Sequence, residues 1–182
     1  IRAALSKQGA PEDLILCLDK PSIPLAQELM SICDLTIATG GPAMVKSAYS
    51  SGKPSYGVGA GNVPVIIDRG VDFKDAVGKI VTGAAFDHGI ICSHEQFVLT
   101  PEERYDETVK LFKETGKVWF TDDEVEIDKL RKLVFADGHL NKDVVGKSAR
   151  EIGAMVGIDV PASARIILLP AKGAGSTDLL AK

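Results

Sequence analysis

Strand-sized apolar runs alternate with helix-like stretches through the first 68 residues, and this alternation restricts the fold more than any other feature of the chain. The run DLILCLD (Asp13–Asp19) reads as a buried strand. PSIPLAQELMSI follows as a helix, with Ser22 at its N-cap and Pro24 tolerable in the first turn. DLTIATGG (Asp34–Gly41) is a second strand, ending in glycines. PAMVKSAYSSGK opens a helix on Pro42, a residue favoured at the first helical position, and closes it at Gly52. PSYGVG and PVIID are further strands. Strand and helix in turn at this spacing predict an α/β fold with a parallel sheet.

The remainder is richer in helix. Phe73, Ala76, Val77, Ile80, Val81 and Ala84 recur at three- and four-residue steps and predict an amphipathic helix within Asp72–Phe86. EQFVLT reads as a strand, followed by helices over Pro101–Gly116, Asp122–Phe135 and Ser148–Val156. ARIILL (Ala164–Leu169) is a late buried strand before a tail rich in Gly, Ala and Ser. The chain has no internal repeat and no clear linker, although the alternation changes character near Asp68.

Composition removes several functions. A net charge of −4 in 182 residues lacks the basic footprint of a nucleic-acid binder. The apolar runs are too short to span a membrane, and no signal-peptide pattern opens the chain. The opening on Ile1, at what reads as the end of a helix, gives the expectation of a fragment with both flanks missing. Cys17, Cys33 and Cys92 form no C-x-x-C pair, and His88, His94 and His139 lack metal-ligand spacing, so no metal is expected. An odd, sparse cysteine set points to a reducing compartment, the cytoplasm.

Two glycine-bearing stretches invite a phosphate. Gly57-Val58-Gly59-Ala60-Gly61-Asn62 fails the dinucleotide fingerprint, because Asn62 stands at the last glycine position and a strand follows instead of a helix. These glycines are better read as a tight passage between strands that needs positive φ or close backbone approach. Thr39, Gly40 and Gly41 sit between a strand end and a helix start, where free N–H groups and the helix dipole favour an anion. A short turn capped by Thr39 explains them equally well.

Cys92 also has two readings. Ile90 and Ile91 before it fit an inert core thiol, as do the apolar surroundings of Cys17 and Cys33. Gly89, Ser93, His94 and Glu95 instead make a polar, turn-prone setting suited to a nucleophile. His94 would share a face with Cys92 only on a strand, and there it would be a candidate base.

Taken together, GAPEDLI, ATGGPAMVKSAYSSGKP, GVGAGNVPVIID, FDHGIICSHEQ and LVFADGHLNKDVVGKSAREIGAMVGIDVP resemble, in order, the aldehyde dehydrogenase superfamily. The likeness is strongest to its CoA-acylating branch, and nearest to the aldehyde dehydrogenase half of bifunctional aldehyde-alcohol dehydrogenases. It implies the last part of a Rossmann-like NAD(P)-binding domain over 1–57. A three-layer α/β catalytic domain with a mostly parallel sheet would occupy 58–182 and be incomplete at its C-terminus. By the same resemblance Cys92 matches the nucleophile, and Thr39, Gly40 and Gly41 match the turn against which NAD or NADP lies. An oxyanion-hole asparagine would lie upstream of Ile1, and a glutamate motif for the nicotinamide ribose beyond Lys182. The implied partners are a small aldehyde or acyl-CoA, with coenzyme A as co-substrate, in a homo-oligomeric full-length protein.

One departure from the family carries chemistry. Hydrolytic members have a water-activating glutamate where this chain has Val58, thirty-four positions before Cys92. Bulk water, with a pKa of about 15.7, needs a base to attack a thioester at neutral pH. A thiol, with a pKa of about 8.5, already supplies some thiolate. A valine at 58 therefore favours CoA over water as acyl acceptor. Two alternatives remain at this stage. One is a phosphorylated-semialdehyde reductase akin to glutamyl phosphate reductase, and the other is a folded or assembly fragment without catalysis of its own.

Overall fold

The computed structural model describes residues 1–59, 61–136, 138–173 and 177–181. By its internal contacts the chain forms two units, Ile1–Ala60 and Gly61–Lys182.

In the first unit, α1 (Arg2–Lys7) and α2 (Ile23–Ile32) precede β1 (Thr36–Thr39), α3 (Pro42–Tyr49) and β2 (Ser55–Val58). Ser22 caps α2 by accepting the Leu25 N–H at 3.3 Å, and Pro24 occupies the first turn as expected. β1 and β2 pair in parallel, from Thr36 opposite Ser55 to Thr39 opposite Val58, with α3 as the crossover. α3 covers one face, burying Ala48 against the strands. A Cβ at Gly57 would lie 2.6 Å from Val45 Cγ1 and 2.8 Å from Tyr49, so glycine there admits the helix. The close approach foreseen for these glycines is therefore real at Gly57, and Gly57, Gly59 and Gly61 all avoid positive φ.

The strand expected over Asp13–Asp19 is absent. Leu14, Ile15 and Leu16 are exposed in irregular backbone, and Cys17 is exposed with them. An apolar strand of this kind must be paired along its edges and covered on its faces, and among the described residues the sheet here consists of β1 and β2. Cys33, also expected in the core, is half-buried, with Sγ 3.3 Å from Thr36 Oγ1.

The second unit runs β3 (Pro64–Ile66), α4 (Phe73–Ala84), β4 (Phe97–Leu99), α5 (Tyr105–Glu114), β5 (Val118–Phe120), α6 (Glu124–Val134), the hairpin β6 (Phe135–Ala136) and β7 (His139–Leu140), α7 (Ala149–Met155) and β8 (Ile166–Leu168). β3 pairs with β4 and β5 with β8, both in parallel, whereas β6 and β7 are antiparallel. The amphipathic face foreseen on α4 is realised, with Phe73, Val77, Ile80 and Val81 buried.

Two apolar clusters sit on opposite sides of β5 and β8. Val118, Ile166 and Leu168 pack with the α4 and Phe112 cluster, whereas Trp119, Ile167 and Leu169 pack with Leu130, Ala149 and Val160. Successive residues of a strand face opposite ways, so this alternation places α4 and α5 on one face and α6 and α7 on the other. The unit is thus an α/β arrangement of three layers. Among the described residues, no helix is long and apolar enough to cross a membrane.

Candidate active site

α4 ends at Ala84, and the chain then turns sharply. Asp87, His88 and Gly89 take φ values of 48°, 53° and 71°, three left-handed residues in succession. Such backbone costs an L-residue about 1–2 kcal/mol each, so Asp87 and His88 hold strain that the surroundings must offset. The following turn is closed by His94 N–H donating to Ile91 O at 3.1 Å. Cys92 and Ser93 are its two central residues, and Cys92 is exposed. The buried-thiol reading therefore does not describe Cys92.

His94 Nδ1 lies 2.6 Å from the same Ile91 oxygen. A carbonyl only accepts, so Nδ1 carries the hydrogen and is committed to the turn. The strand begins only at Phe97, so the shared-face argument for His94 as a base has no strand to rest on. The amides of Cys92 and Ser93 make no hydrogen bond with a described residue. They are free donors beside the thiol, of the kind that stabilises charge on a carbonyl oxygen under attack.

Contacts on both sides pin this turn. Ile90 packs against Gly146, where a Cβ would lie 2.9 Å from Ile90 Cδ1 and where φ is +76°. The Gly146 loop leads into α7, capped by Ser148 and Glu151 in a reciprocal box. The hydrogen bonds from the Ser148 hydroxyl and then its N–H hold the Glu151 carboxyl below the usual glutamate range, with smaller help from Lys147 and His88. Beyond Cys92, the Glu95 carboxylate presses on α4 at Gly83, where a Cβ would come within 2.2 Å of Oε2. That oxygen is inaccessible and has no hydrogen-bond partner among the described residues. Gln96 meets Val63 twice, accepting its N–H at Oε1 (3.0 Å) and donating its own N–H to Val63 O (3.1 Å).

A cavity of about 480 Å³ opens beside this segment, with Ile80, Ala84, Glu95, Phe112, Ile152 and Leu168 among its walls. Cys92 is not among its lining residues, so the cavity belongs to the packing between layers and not to the thiol.

Thr39, Gly40, Gly41 and Val58 lie together in the first unit. Thr39 pairs with Val58, and Gly40 N–H donates to Val58 O at 3.1 Å. Gly41 is the N-cap of α3 with no side-chain cap bond, so the turn is not one capped by Thr39. The Gly41 and Ala43 amides make no hydrogen bond with a described residue, and a Cβ at Gly41 would meet nothing within 4 Å. Sequence reasoning used Glu95 only as part of a polar setting for Cys92 and passed over Gln96, Gly83 and Gly146. Gly83 carried a usable signal, since glycine inside a helical pattern costs about 1 kcal/mol against alanine and asks for a packing reason.

That reason predicts a reversal of sign. Gly83→Ala should destabilise the protein despite alanine's better helix propensity, because the methyl displaces the Glu95 carboxylate. In a Glu95→Ala background the same substitution should stabilise, by about 0.5–1 kcal/mol. Urea unfolding midpoints of the four proteins read this, and an effect of the same sign in both backgrounds would contradict the packing.

The sequence model described as the aldehyde dehydrogenase family matches residues 3–129. Succinate-semialdehyde dehydrogenase (acetylating) of Clostridium kluyveri is 46% identical over 182 residues, covering 100% of this chain and 40% of that protein. The aldehyde-alcohol dehydrogenase of Clostridium acetobutylicum is 47% identical over 165 residues, covering 91% of this chain and 19% of that protein. The structure of Rhodopseudomonas palustris propionaldehyde dehydrogenase, with bound CoA and an acylated cysteine, superposes with a TM-score of 0.85 at 33% identity, covering 94% of this chain and 40% of that one. The chain therefore spans well under half the length of the proteins it matches, and over that span it carries their fold. It belongs to the aldehyde dehydrogenase family.

Proposed function

We propose that the chain is part of a CoA-acylating aldehyde dehydrogenase, interconverting an aldehyde and acyl-CoA with NAD(P) through a thioester on Cys92. The observation that carries this reading is an exposed Cys92 on a pinned turn with its own amide and that of Ser93 unengaged. Family membership, the acetylating activity of the C. kluyveri relative, and the CoA and acylated cysteine of the R. palustris structure support it. The last two favour a thiol acceptor over the phosphate of the reductase alternative.

In the oxidative direction, the Cys92 thiolate adds to the aldehyde carbonyl carbon. The carbonyl oxygen takes the negative charge, which the unengaged Cys92 and Ser93 amides would receive; losing one such donor typically costs about 10²–10³ in rate. NAD(P), when bound, accepts the hydride from that carbon, and the thioester remains on Cys92. The CoA thiolate then attacks the thioester carbonyl, and Cys92 departs as thiolate. Each step is reversible, so the same residues serve acyl-CoA reduction.

Residues 1–57 are proposed to end the NAD(P)-binding domain and 58–182 to form the thiol-bearing domain. Of Thr39, Gly40 and Gly41, Gly40 spends its N–H on Val58 O, and the open Gly41 amide, with that of Ala43 at the start of α3, suits a phosphate group of the cofactor. Val58, exposed at the end of β2, supplies no base to activate water. That selects thiolysis over hydrolysis of the thioester.

In the full-length protein, Cys92→Ala should abolish acyl-enzyme formation and CoA-dependent NADH production. Turnover near the parental rate would refute the nucleophile. Val58→Glu should raise CoA-independent release of free acid, measured by product analysis without CoA; an unchanged rate would refute the role given to position 58.

A further inference from the structure

The two contacts between Gln96 and Val63 stand at the start of the β3–β4 ladder, where Pro64 pairs with Phe97. Val63 O and Ile67 N–H both bond to β4, so alternate residues starting at Val63 face that strand and Pro64 costs it no rung. Val63 O receives the Gln96 N–H at 3.1 Å and the Phe97 N–H at 3.4 Å, and Val63 N–H goes to the Gln96 side-chain oxygen at 3.0 Å. One glutamine thus holds both polar groups of Val63, the residue that opens the ladder toward β4.

The glutamine's place in the chain gives that contact a consequence. Gln96 is the fourth residue after Cys92, and the intervening turn is otherwise closed only by His94 bonding back to Ile91. On the far side, Ile90 is seated against Gly146, and the three left-handed residues before it bend the backbone away from α4. The thiol therefore stands on a short span held at two ends, with stored strain at one end and the Gln96–Val63 contact at the other. Glu95 packs on Gly83 from inside, and its Oε2 has no hydrogen-bond partner among the described residues.

We propose that Gln96 is a positioning residue for Cys92: by holding Val63 N–H, its side-chain oxygen fixes the turn from which the thiol attacks. Gln96 touches no reacting atom. The proposal rests on the thioester reading above. A displacement of the nucleophile by about 1 Å can cost of the order of 10²-fold in rate, and it does so in the chemical step while leaving binding of the acyl donor in place.

The test uses the full-length protein with three substitutions. Gln96→Met keeps the length and removes the acceptor, Gln96→Glu keeps an acceptor oxygen at the same reach, and Cys92→Ala reports on the underlying reading. Gln96→Met should lower kcat for acyl-CoA reduction by about 10- to 100-fold with KM for acyl-CoA changed by less than about 3-fold. Gln96→Glu should recover kcat to within about 3-fold. Hydrogen exchange at the Val63 amide should speed up in Gln96→Met and stay slow in Gln96→Glu. A Gln96→Met enzyme within about 2-fold of the parental kcat overturns the proposal, as does loss of activity that tracks the folded fraction equally in both variants. Retained turnover in Cys92→Ala overturns the thioester reading itself, and the role of Gln96 with it.

Discussion

The second unit depends on one constraint, the opposite facing of neighbouring residues in β5 and β8. Ile166 and Leu168 go to the layer of α4 and α5, Ile167 to the layer of α6 and α7, and Val118 and Trp119 divide in the same way. With helices covering both faces of these half-buried strands, a slip of one residue is disfavoured because it would send each side chain to the other layer. The elements that carry the proposed chemistry inherit that fixity. α4 is held by four buried residues and leads directly into the left-handed turn before Cys92. α7 is held through Ala149 and Gly153, and the loop before it supplies Gly146 as the seat for Ile90.

The thiol is thus carried on irregular backbone between rigid supports, which reconciles exposure with positional definition. An exposed cysteine on a free loop would be reactive without being aimed. Here the strain at Asp87 and His88, of about 1–2 kcal/mol each, is tolerable because contacts on either side of Cys92 over-determine the path. Glycine is required at Gly146 by its φ of +76°, and a Cβ at Gly83 would displace the end of the Glu95 side chain. The proposed preference for a thiol acceptor adds a second economy. Valine at position 58 supplies no carboxylate, so in the proposed reaction the choice between water and CoA follows from intrinsic nucleophilicity.

What could be read from the sequence was what depends on single elements. The face of α4 was legible because its apolar residues recur at helical spacing, and the caps at Ser22 and Ser148 fell at the expected helix starts. β8 was legible as a short unbroken apolar run. Asp13–Asp19 has the same appearance and forms no strand, because pairing is a property of partners and not of the run itself. The hairpin of β6 and β7 has two residues per strand, too few for any periodicity, and β5 escaped for the same reason. Around the site, local polarity left Cys92 undecided and the family resemblance singled it out. Its supports were hidden, because Gln96 and Val63 are 33 residues apart and nothing local announces their contact. Gly83 broke a local rule visibly enough to have been questioned, but so did Gly78 in the same helix, where a Cβ would meet nothing within 4 Å.

The central claim is that acyl groups pass through Cys92, and the most direct measurement is to look for the acyl group there. The full-length protein is incubated with an acyl-CoA in the absence of nicotinamide cofactor, quenched in acid, digested and examined by peptide mass spectrometry. Transthioesterification needs no redox partner, so the acyl mass should appear on the peptide containing Cys92 and disappear when excess CoA is added before the quench. An unmodified Cys92 peptide in a preparation that reduces the same acyl-CoA, or an acyl group found instead on Cys17 or Cys33, would contradict the account.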